Sequence, residues 1–412
     1  MSKNRALALT RLTLTDFRNY ARLRLDVGPA PVVLTGPNGA GKTNLLEALS
    51  ILCPGRGLRS AAYADMVRHQ GAGGWAIAAV LDGPQAEIRV GTAWNGSQGE
   101  ALAGEPDGAA DAMGSPVQPV KGASQARQVR IEGTTHRGSG ALASIIRMVW
   151  ITPAMDRLFN GPAGDRRRFL DRLVLGIDPE HASRVNAFDR LMRDRNRLLE
   201  EGREGARRDP IWLDGLEAAM AEHAVAIAAA RQATVEALQL AASEQHASGQ
   251  MGTFPWGQFT IEGELEAAIA EMPALHVEER YRTILAESRG LDASAGRCLR
   301  GPHRSDLVVK HGPKDVEARL CSTGEQKALL IGIILAHARI VADGFDGYAP
   351  IMLLDEVAAH LDEERRRGLF ECLLALPVQA WMTGTDASLF SALRGSAQFL
   401  RARDGALMEL VD

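Results

Sequence analysis

The chain has 412 residues, 46% hydrophobic and 24% charged, with a formal net charge of −4. That length supports two or three domains and a sizeable core, and the near-neutral balance excludes a generally basic nucleic-acid coat, so any DNA site must be a local basic surface. The four scattered cysteines, Cys53, Cys298, Cys321 and Cys372, hold no C-x-x-C pair, which argues against a zinc site and a disulfide framework.

Residues 7–14 alternate apolar and polar at period two, the pattern of a half-buried strand. Met1 to Arg5 lead into this segment without the apolar core of a signal peptide. No apolar run reaches the ~18 residues that span a bilayer. A cytoplasmic protein with reduced thiols and no membrane partner is expected. A second strand is predicted at Leu23–Val27, and the apolar run Pro31–Thr35 reads as a buried central strand. A Gly-rich turn follows it, then a helix from Lys42 to about Leu52. Further strands are predicted at Trp75–Leu81 and Glu87–Val90. Residues 95–124 shift to Gly, Ala, Pro and Asp with almost no periodicity, and read as a flexible surface loop. Strand patterning resumes at Gln128–Ile131 and Met148–Ile151. From about Asp165 to Gly290 the chain reads as mainly helical, interrupted around Thr253–Trp256. Helices of about thirty residues reach only ~45 Å, an arm rather than a long coiled coil. Strand-turn-helix character returns after Gly301.

The turn after the central strand carries the first chemistry. Gly36-Pro37-Asn38-Gly39-Ala40-Gly41-Lys42-Thr43 fits G-x-x-x-x-G-K-[ST] between a strand and a helix. Its glycines let backbone N–H groups wrap phosphates, and the helix beginning at Lys42 points its positive dipole end at them. Lys42 is expected on the β- and γ-phosphates of ATP, and the Thr43 hydroxyl on Mg²⁺. Far along the chain, Ile351–Leu354 is an apolar strand ending in Asp355 and Glu356, and a buried strand has no structural use for paired carboxylates at its tip. Asp355 suits the Mg²⁺ site, and Glu356 suits the catalytic base that orients and deprotonates the attacking water. The bland alternative for the acid pair is a solvated strand end.

Cys321-Ser322-Thr323-Gly324-Glu325-Gln326 precedes a helix pattern over Ala328–Ile340 and matches the signature of ABC ATPases, loosely L-S-G-G-Q. A small-residue turn at a helix N-terminus is a second anion site, so Ser322, Gly324 and Gln326 are expected to meet the γ-phosphate held by another copy, giving an ATP-dependent homodimer. Ser322 with Glu325 is also a capping box, and both readings hold together. His360-Leu361-Asp362 stand where ABC heads carry a loop that crosses the dimer. Ala380–Thr385 reads as a last strand and switch turn, with Thr383 and Thr385 where many transporter heads place a histidine.

Within the ABC/SMC class of P-loop ATPase heads, an α/β fold with an inserted helical arm, the sequence resembles the RecF family over nearly its whole length. Asp16-Phe17-Arg18-Asn19-Tyr20 resembles its F-R-N-Y, which implies that Arg18 and Asn19 flank the nucleotide. Gly36 to Leu49, including Asn44, matches its P-loop and helix. Gly55 to Ser60 resembles the segment after it. Pro153 to Asp171 resembles P-E-x-x-x-L-V-x-G-G-P-x-x-R-R-x-F-L-D, with Ala154 in place of an acid and Pro162-Ala163 replacing the Gly-Pro step. Gly301 to Leu307 resembles G-P-H-R-D-D-L, with Ser305 for the first Asp. The resemblance implies a cytosolic ATPase that dimerises on ATP, binds single-stranded, double-stranded and gapped DNA, and acts with RecR and RecO to help load RecA, supporting replication restart and the SOS response.

Three segments follow as domains: 1–150 and 296–412 as the two parts of the head, and 151–295 as the arm. Arginines crowd 166–172 and 190–197, and Arg166, Arg167, Arg193 and Arg197 are candidates for DNA phosphates. Interleaved acids make a salt-bridged helix surface the alternative. The competing function is an ABC transporter ATPase subunit docking a membrane partner. The Arg-rich helical segment between Lys42 and Ser322 favours the RecF side.

Overall fold

The computed structural model describes residues 7–83, 86–96, 127–203, 210–248, 254–344, 349–359, 361–403 and 405–410. The chain divides into two units, Met1–Met155 with Val341–Asp412, and Asp156–Ile340.

In the first unit β1 (Ala8–Phe17) and β2 (Tyr20–Asp26) form a hairpin, and β3 (Val32–Thr35) leads through the Gly-rich turn into α1 (Lys42–Ile51). Next come β4 (Gly74–Asp82), β5 (Glu87–Asn95), β6 (Gln128–Ile131), β7 (Thr134–Arg137) and β8 (Met148–Ile151). The loop expected at 95–124 falls almost wholly on residues 97–126, outside the described residues. In the second unit lie α2 (Ala163–Ile177), α3 (His181–Arg203), α4 (Pro210–Ser248), β9 (Gly257–Glu262), α5 (Glu264–Glu271), α6 (Ala274–Ala295), β10 (Asp306–His311) and β11 (Val316–Glu317). The unit boundary falls within α7 (Thr323–Gly344). The first unit then resumes with β12 (Ile351–Leu354), α8 (Glu363–Ala375), β13 (Ala380–Gly384), β14 (Gln398–Arg403) and β15 (Ala406–Glu409).

Two six-stranded sheets build the first unit. One is antiparallel, ordered β2-β1-β4-β5-β6-β7; the other runs β15-β14-β3-β13-β12-β8 and is parallel except for β15. Period-two alternation sends Leu12, Leu14, Trp75 and Ile77 of the first sheet into a core shared with Phe17, Leu45, Leu49 and Trp381. β3 and β12 are buried at every residue, as strands covered on both faces must be. Gln379, fully buried, ties the sheets together: its amide accepts from Leu9 N at 2.9 Å and donates to Leu9 O at 2.9 Å and Gly28 O at 2.8 Å.

The second unit extends past the boundary expected at 295, because β9 pairs antiparallel with β10 and β10 with β11 in a small three-stranded sheet. Its core joins Phe188 of α3, Met220 and Ala224 of α4, and Tyr281 and Leu285 of α6. α4 has 39 residues, about 59 Å at helical rise. Arg195 is completely buried on α3 and donates to Glu217 at 2.8 Å, Asp292 at 2.7 Å and the Leu285 carbonyl at 2.7 Å. A charge removed from water in this way persists only when its donors are matched, as here.

Candidate nucleotide site

Ligands of parallel α/β sheets bind at the carboxyl ends of the strands, and the carboxyl ends of β3, β12 and β13 carry the Gly-rich turn, the acid pair and Thr383. The turn after β3 is held open by backbone conformations that favour glycine. Gly36 has φ 144° and Gly41 φ 102°. A Cβ on Gly36 would meet the Ala402 carbonyl at 2.4 Å, and one on Gly41 the Asn19 amide at 2.4 Å. Around the remaining Gly39 (φ 82°) there is open space on the Cβ side. Lys42 is 5% exposed, and its ammonium donates to the carbonyls of Gly36 at 2.7 Å and Pro37 at 3.0 Å. Burial holds that ammonium below the ordinary lysine range, opposed by the charges of Glu356 and Asp355.

The acid pair meets the loop. Thr43 donates its hydroxyl to Asp355 Oδ1 at 3.0 Å across 312 residues of sequence. The fully buried Thr383 at the end of β13 donates to the same oxygen at 2.7 Å and accepts from the Glu356 N–H at 2.8 Å. Glu356 has φ 49°, a left-handed conformation costly for a residue with a Cβ and typical of functional turns. Thr383, at the turn where a switch is expected, ties the Asp355 carboxylate and the Glu356 backbone together through its hydroxyl. Thr385, the other candidate, is exposed.

A scaffold of side chains braces α1. Glu47 is fully buried on that helix and receives Arg18 through two bonds of 2.8 Å and Arg59 at 3.0 Å. Arg18 also donates to the Asp65 carbonyl at 2.6 Å. Its guanidinium is therefore bound within the protein, whereas Asn19 contacts the loop itself: it accepts from Asn44 at 2.8 Å and reaches the Ala40 carbonyl at 3.5 Å. Tyr20 donates to Gly41 O at 3.0 Å, and burial pushes its phenol up from the ordinary range. At the other end of α1 the buried Arg127 donates to Ile51 O and to Cys53 O, the latter at 2.6 Å. Glu47 and Arg127 escaped sequence reading; the one available signal was a lone acid in the apolar stretch Leu45–Leu49. Asp362 is exposed and caps α8, accepting from Arg365 N at 2.8 Å; His360 lies outside the described residues.

The signature residues belong to the second unit. Ser322 and Glu325 form the reciprocal capping box: Ser322 N donates to Glu325 at 2.9 Å and Glu325 N to Ser322 Oγ at 3.4 Å. Lys314 also bonds Glu325, and together with the Ser322 N–H it holds that carboxyl down to about 2. Ser322 is exposed and Gly324 half-buried, whereas Gln326 is buried, donating to Cys321 O at 2.9 Å and accepting from Asn160 at 3.3 Å. Gln326 thus shapes the turn rather than facing outward.

The arginine candidates divide. Arg166 donates to Asp306 through bonds of 2.8 and 2.6 Å and to Gly161 O at 2.5 Å, in the wall of a cleft of about 530 Å³. Arg167 donates to Ser305 O at 2.6 Å. Both are engaged internally. Arg193 and Arg197 are exposed on α3, with Arg197 3.5 Å from Asp194 and 3.9 Å from Glu201. Ser305 donates to the buried Glu266 at 2.8 Å, so an Asp at that position would face a second carboxylate; the serine suits this environment. Ala154 is exposed, and nothing in the structure explains the absent acid.

A glycine-lined loop after β3, meeting an acid pair after β12 and joined in one chain to a Ser-capped signature helix, defines an ATPase head of the ABC/SMC type. The family model described as RecF/RecN/SMC N terminal domain matches residues 8–393. The chain is 50% identical over 399 residues to the DNA replication and repair protein RecF of Mesorhizobium japonicum, covering 97% of each chain. It is 49% identical over 397 residues to the RecF of Rhizobium meliloti, covering 96% of this chain and 97% of that one. Among solved structures, the recombination mediator protein RecF with ATP in the RecFOR pathway superposes with a TM-score of 0.79 at 18% identity, over 100% of this chain and 99% of the other. The Smc head domain of Pyrococcus furiosus, bound to the C-terminal domain of ScpA, gives 0.51 at 15% identity, over 98% and 96%. This chain belongs to the RecF family. The transporter-subunit reading is not favoured.

Proposed function

We propose that the protein binds Mg²⁺-ATP in its P-loop, dimerises on ATP, and acts on DNA in replication and recombinational repair. The carrying observation is the 3.0 Å bond between Thr43 and Asp355, which unites the P-loop with the acid pair. The residues present suit the nucleotide: Gly36 to Thr43 supply the backbone cradle, and Lys42 exchanges the carbonyls of Gly36 and Pro37 for phosphate oxygens. Thr43 and Asp355 would hold Mg²⁺, which neutralises phosphate charge when bound. Glu356 orients the attacking water and takes its proton, with Thr383 fixing the backbone on which Glu356 stands. Ser322 and Gly324 of a second copy clamp the γ-phosphate, so the dimer lasts as long as that phosphate does.

The known RecF of Mesorhizobium japonicum is described as a DNA replication and repair protein, and the solved relative as a recombination mediator of the RecFOR pathway. Single-stranded, double-stranded and gapped DNA are the substrates on this reading, with RecO, RecR and RecA as partners in the cytoplasm. Among the described residues no helix is long and apolar enough to cross a membrane. The test is titration of the three DNA forms against salt, with and without ATP, alongside the ATPase rate. Steep salt dependence and a DNA-dependent ATPase support the reading; absence of DNA binding with ATP present overturns it.

A further inference from the structure

The outer face of the antiparallel sheet has a composition that the nucleotide site does not account for. Residues paired directly across neighbouring strands share a face. One row across the sheet reads Arg24, Thr13, Ala78, Gly91, Arg130. The adjacent row, two residues away along each strand, reads Arg22, Thr15, Ala76, Ala93, Gln128. The middle of both rows is therefore small: three alanines, a glycine and two threonines, all partly exposed. Arg22 and Arg24 stand exposed on β2 at one side, and Arg130 stands exposed on β6 at the other. Neither row contains a carboxylate. The next row does: its Asp26 lies 2.5 Å from Arg11 and 3.5 Å from Arg24, which leaves two arginines to one carboxylate there.

Gly91 has no backbone need for its residue type, since its φ is not among the positive values and an added Cβ would make only an ordinary 3.6 Å contact with Ile77 O. The low floor is a property of the surface rather than of the strand. From β2 to β6 the sheet takes four strand spacings, about 19 Å. A duplex carries one charge per ~1.7 Å of axis, so about eleven charges pass over that width. The two rims of arginine can then meet phosphates while the low middle admits the body of the helix. Platforms for single strands need exposed aromatic rings on which bases stack. The two tryptophans of these strands, Trp75 and Trp94, pair on the opposite face, packed in or against the core.

We infer that this face, through Arg22, Arg24 and Arg130, is a docking surface for the phosphate backbone of duplex DNA, read by form and not by sequence. The inference rests on the DNA-binding reading above. It moves the principal contacts off α2, whose Arg166 and Arg167 are engaged internally, and onto the sheet.

The test compares the full-length protein with three variants: Arg22→Gln/Arg24→Gln/Arg130→Gln, Ala78→Glu, and Arg193→Gln/Arg197→Gln on α3. Duplex affinity is measured against salt with ATP present, and ATP affinity is measured on each as the control for folding. The sheet triple variant is expected to bind duplex at least ten-fold more weakly at low salt, with the slope of log affinity against log salt smaller by about 2 to 3. Ala78→Glu, which adds a carboxylate to the middle of the floor, is expected to weaken duplex binding several-fold with ATP affinity unchanged. Wild-type slopes in both sheet variants, or a slope lost only in the α3 variant, overturn the inference. A wild-type protein that binds no DNA at all is a different outcome and removes the functional reading beneath it. A sheet variant that loses single-stranded but not duplex binding overturns the choice of duplex.

Discussion

Thr383→Val removes one hydroxyl and almost no volume, which isolates the bond network joining β13 to the acid pair. Thr383 is fully buried and bonds the Asp355 carboxylate at 2.7 Å and the Glu356 N–H at 2.8 Å. A hydrogen bond to a charged group contributes about 1.5–3 kcal/mol and a neutral one about 0.5–1.5. Because Thr43 still bonds Asp355, the expected loss is about 2–4 kcal/mol. At a urea dependence of about 2 kcal/mol per molar, the unfolding midpoint falls by about 1–2 M with the slope unchanged. The ATPase should fall further than stability suggests, by ten-fold or more, because the backbone carrying Glu356 loses its anchor, and each ~1.4 kcal/mol at the barrier is a factor of ten. Thr383→Ser keeps the hydroxyl and should restore the rate, at a cost of about 1 kcal/mol for the missing methyl. A valine variant with wild-type midpoint and rate would refute the argument. A serine variant as damaged as valine would show that packing, not hydrogen bonding, is the role of this position.

Three further outcomes are expected. Ser322→Arg should bind ATP as tightly as the wild type yet stay monomeric by light scattering in ATP; a normal dimer would leave Ser322 as a helix cap alone. Glu325 has a carboxyl lowered from its ordinary 4.5 to about 2 by Lys314 and the Ser322 N–H, so its contribution is complete above about pH 4.5 and fades as pH falls toward 2. The stability advantage of wild type over Glu325→Gln should fade over that window, and an advantage intact at pH 2 would count against the bond. Arg166→Ala strips Asp306 of a partly buried partner and should destabilise by about 2 kcal/mol, between the surface and buried limits for ion pairs, while leaving the salt slope of DNA binding unchanged; a flatter slope would return Arg166 to the DNA surface.

The legible parts of this molecule are those whose signal is local. β3 is a continuous apolar run followed by a loop that specifies its own backbone conformation, so strand, turn and α1 were readable together, and the Asp355–Glu356 pair stood out because a buried strand rarely ends in two acids. β9 was not readable: the break around Thr253–Trp256 was visible in a helical stretch, but the strand after it exists through pairing with β10, more than forty residues on. The destinations of the arginines were hidden for the same reason. Arg166 finds Asp306 across 140 residues and Arg195 finds Asp292 across 97, and a dense arginine run reads alike whether its partners are phosphates or distant carboxylates. The arginines of the antiparallel sheet are spread singly over β2 and β6 and gather only once the register is known.

The central claim is that ATP held between two heads keeps the protein on DNA and that hydrolysis releases it. Glu356→Gln tests this most directly. Glutamine keeps the size of the side chain but cannot take the proton from water, so the chemical step should slow by about 10²–10⁴-fold. The measurement is the rate of dissociation from duplex DNA after a chase with excess competitor, in ATP, for wild type and variant. The account predicts a variant without ATPase that leaves DNA much more slowly than the wild type. Equal dissociation rates with the ATPase abolished would contradict it.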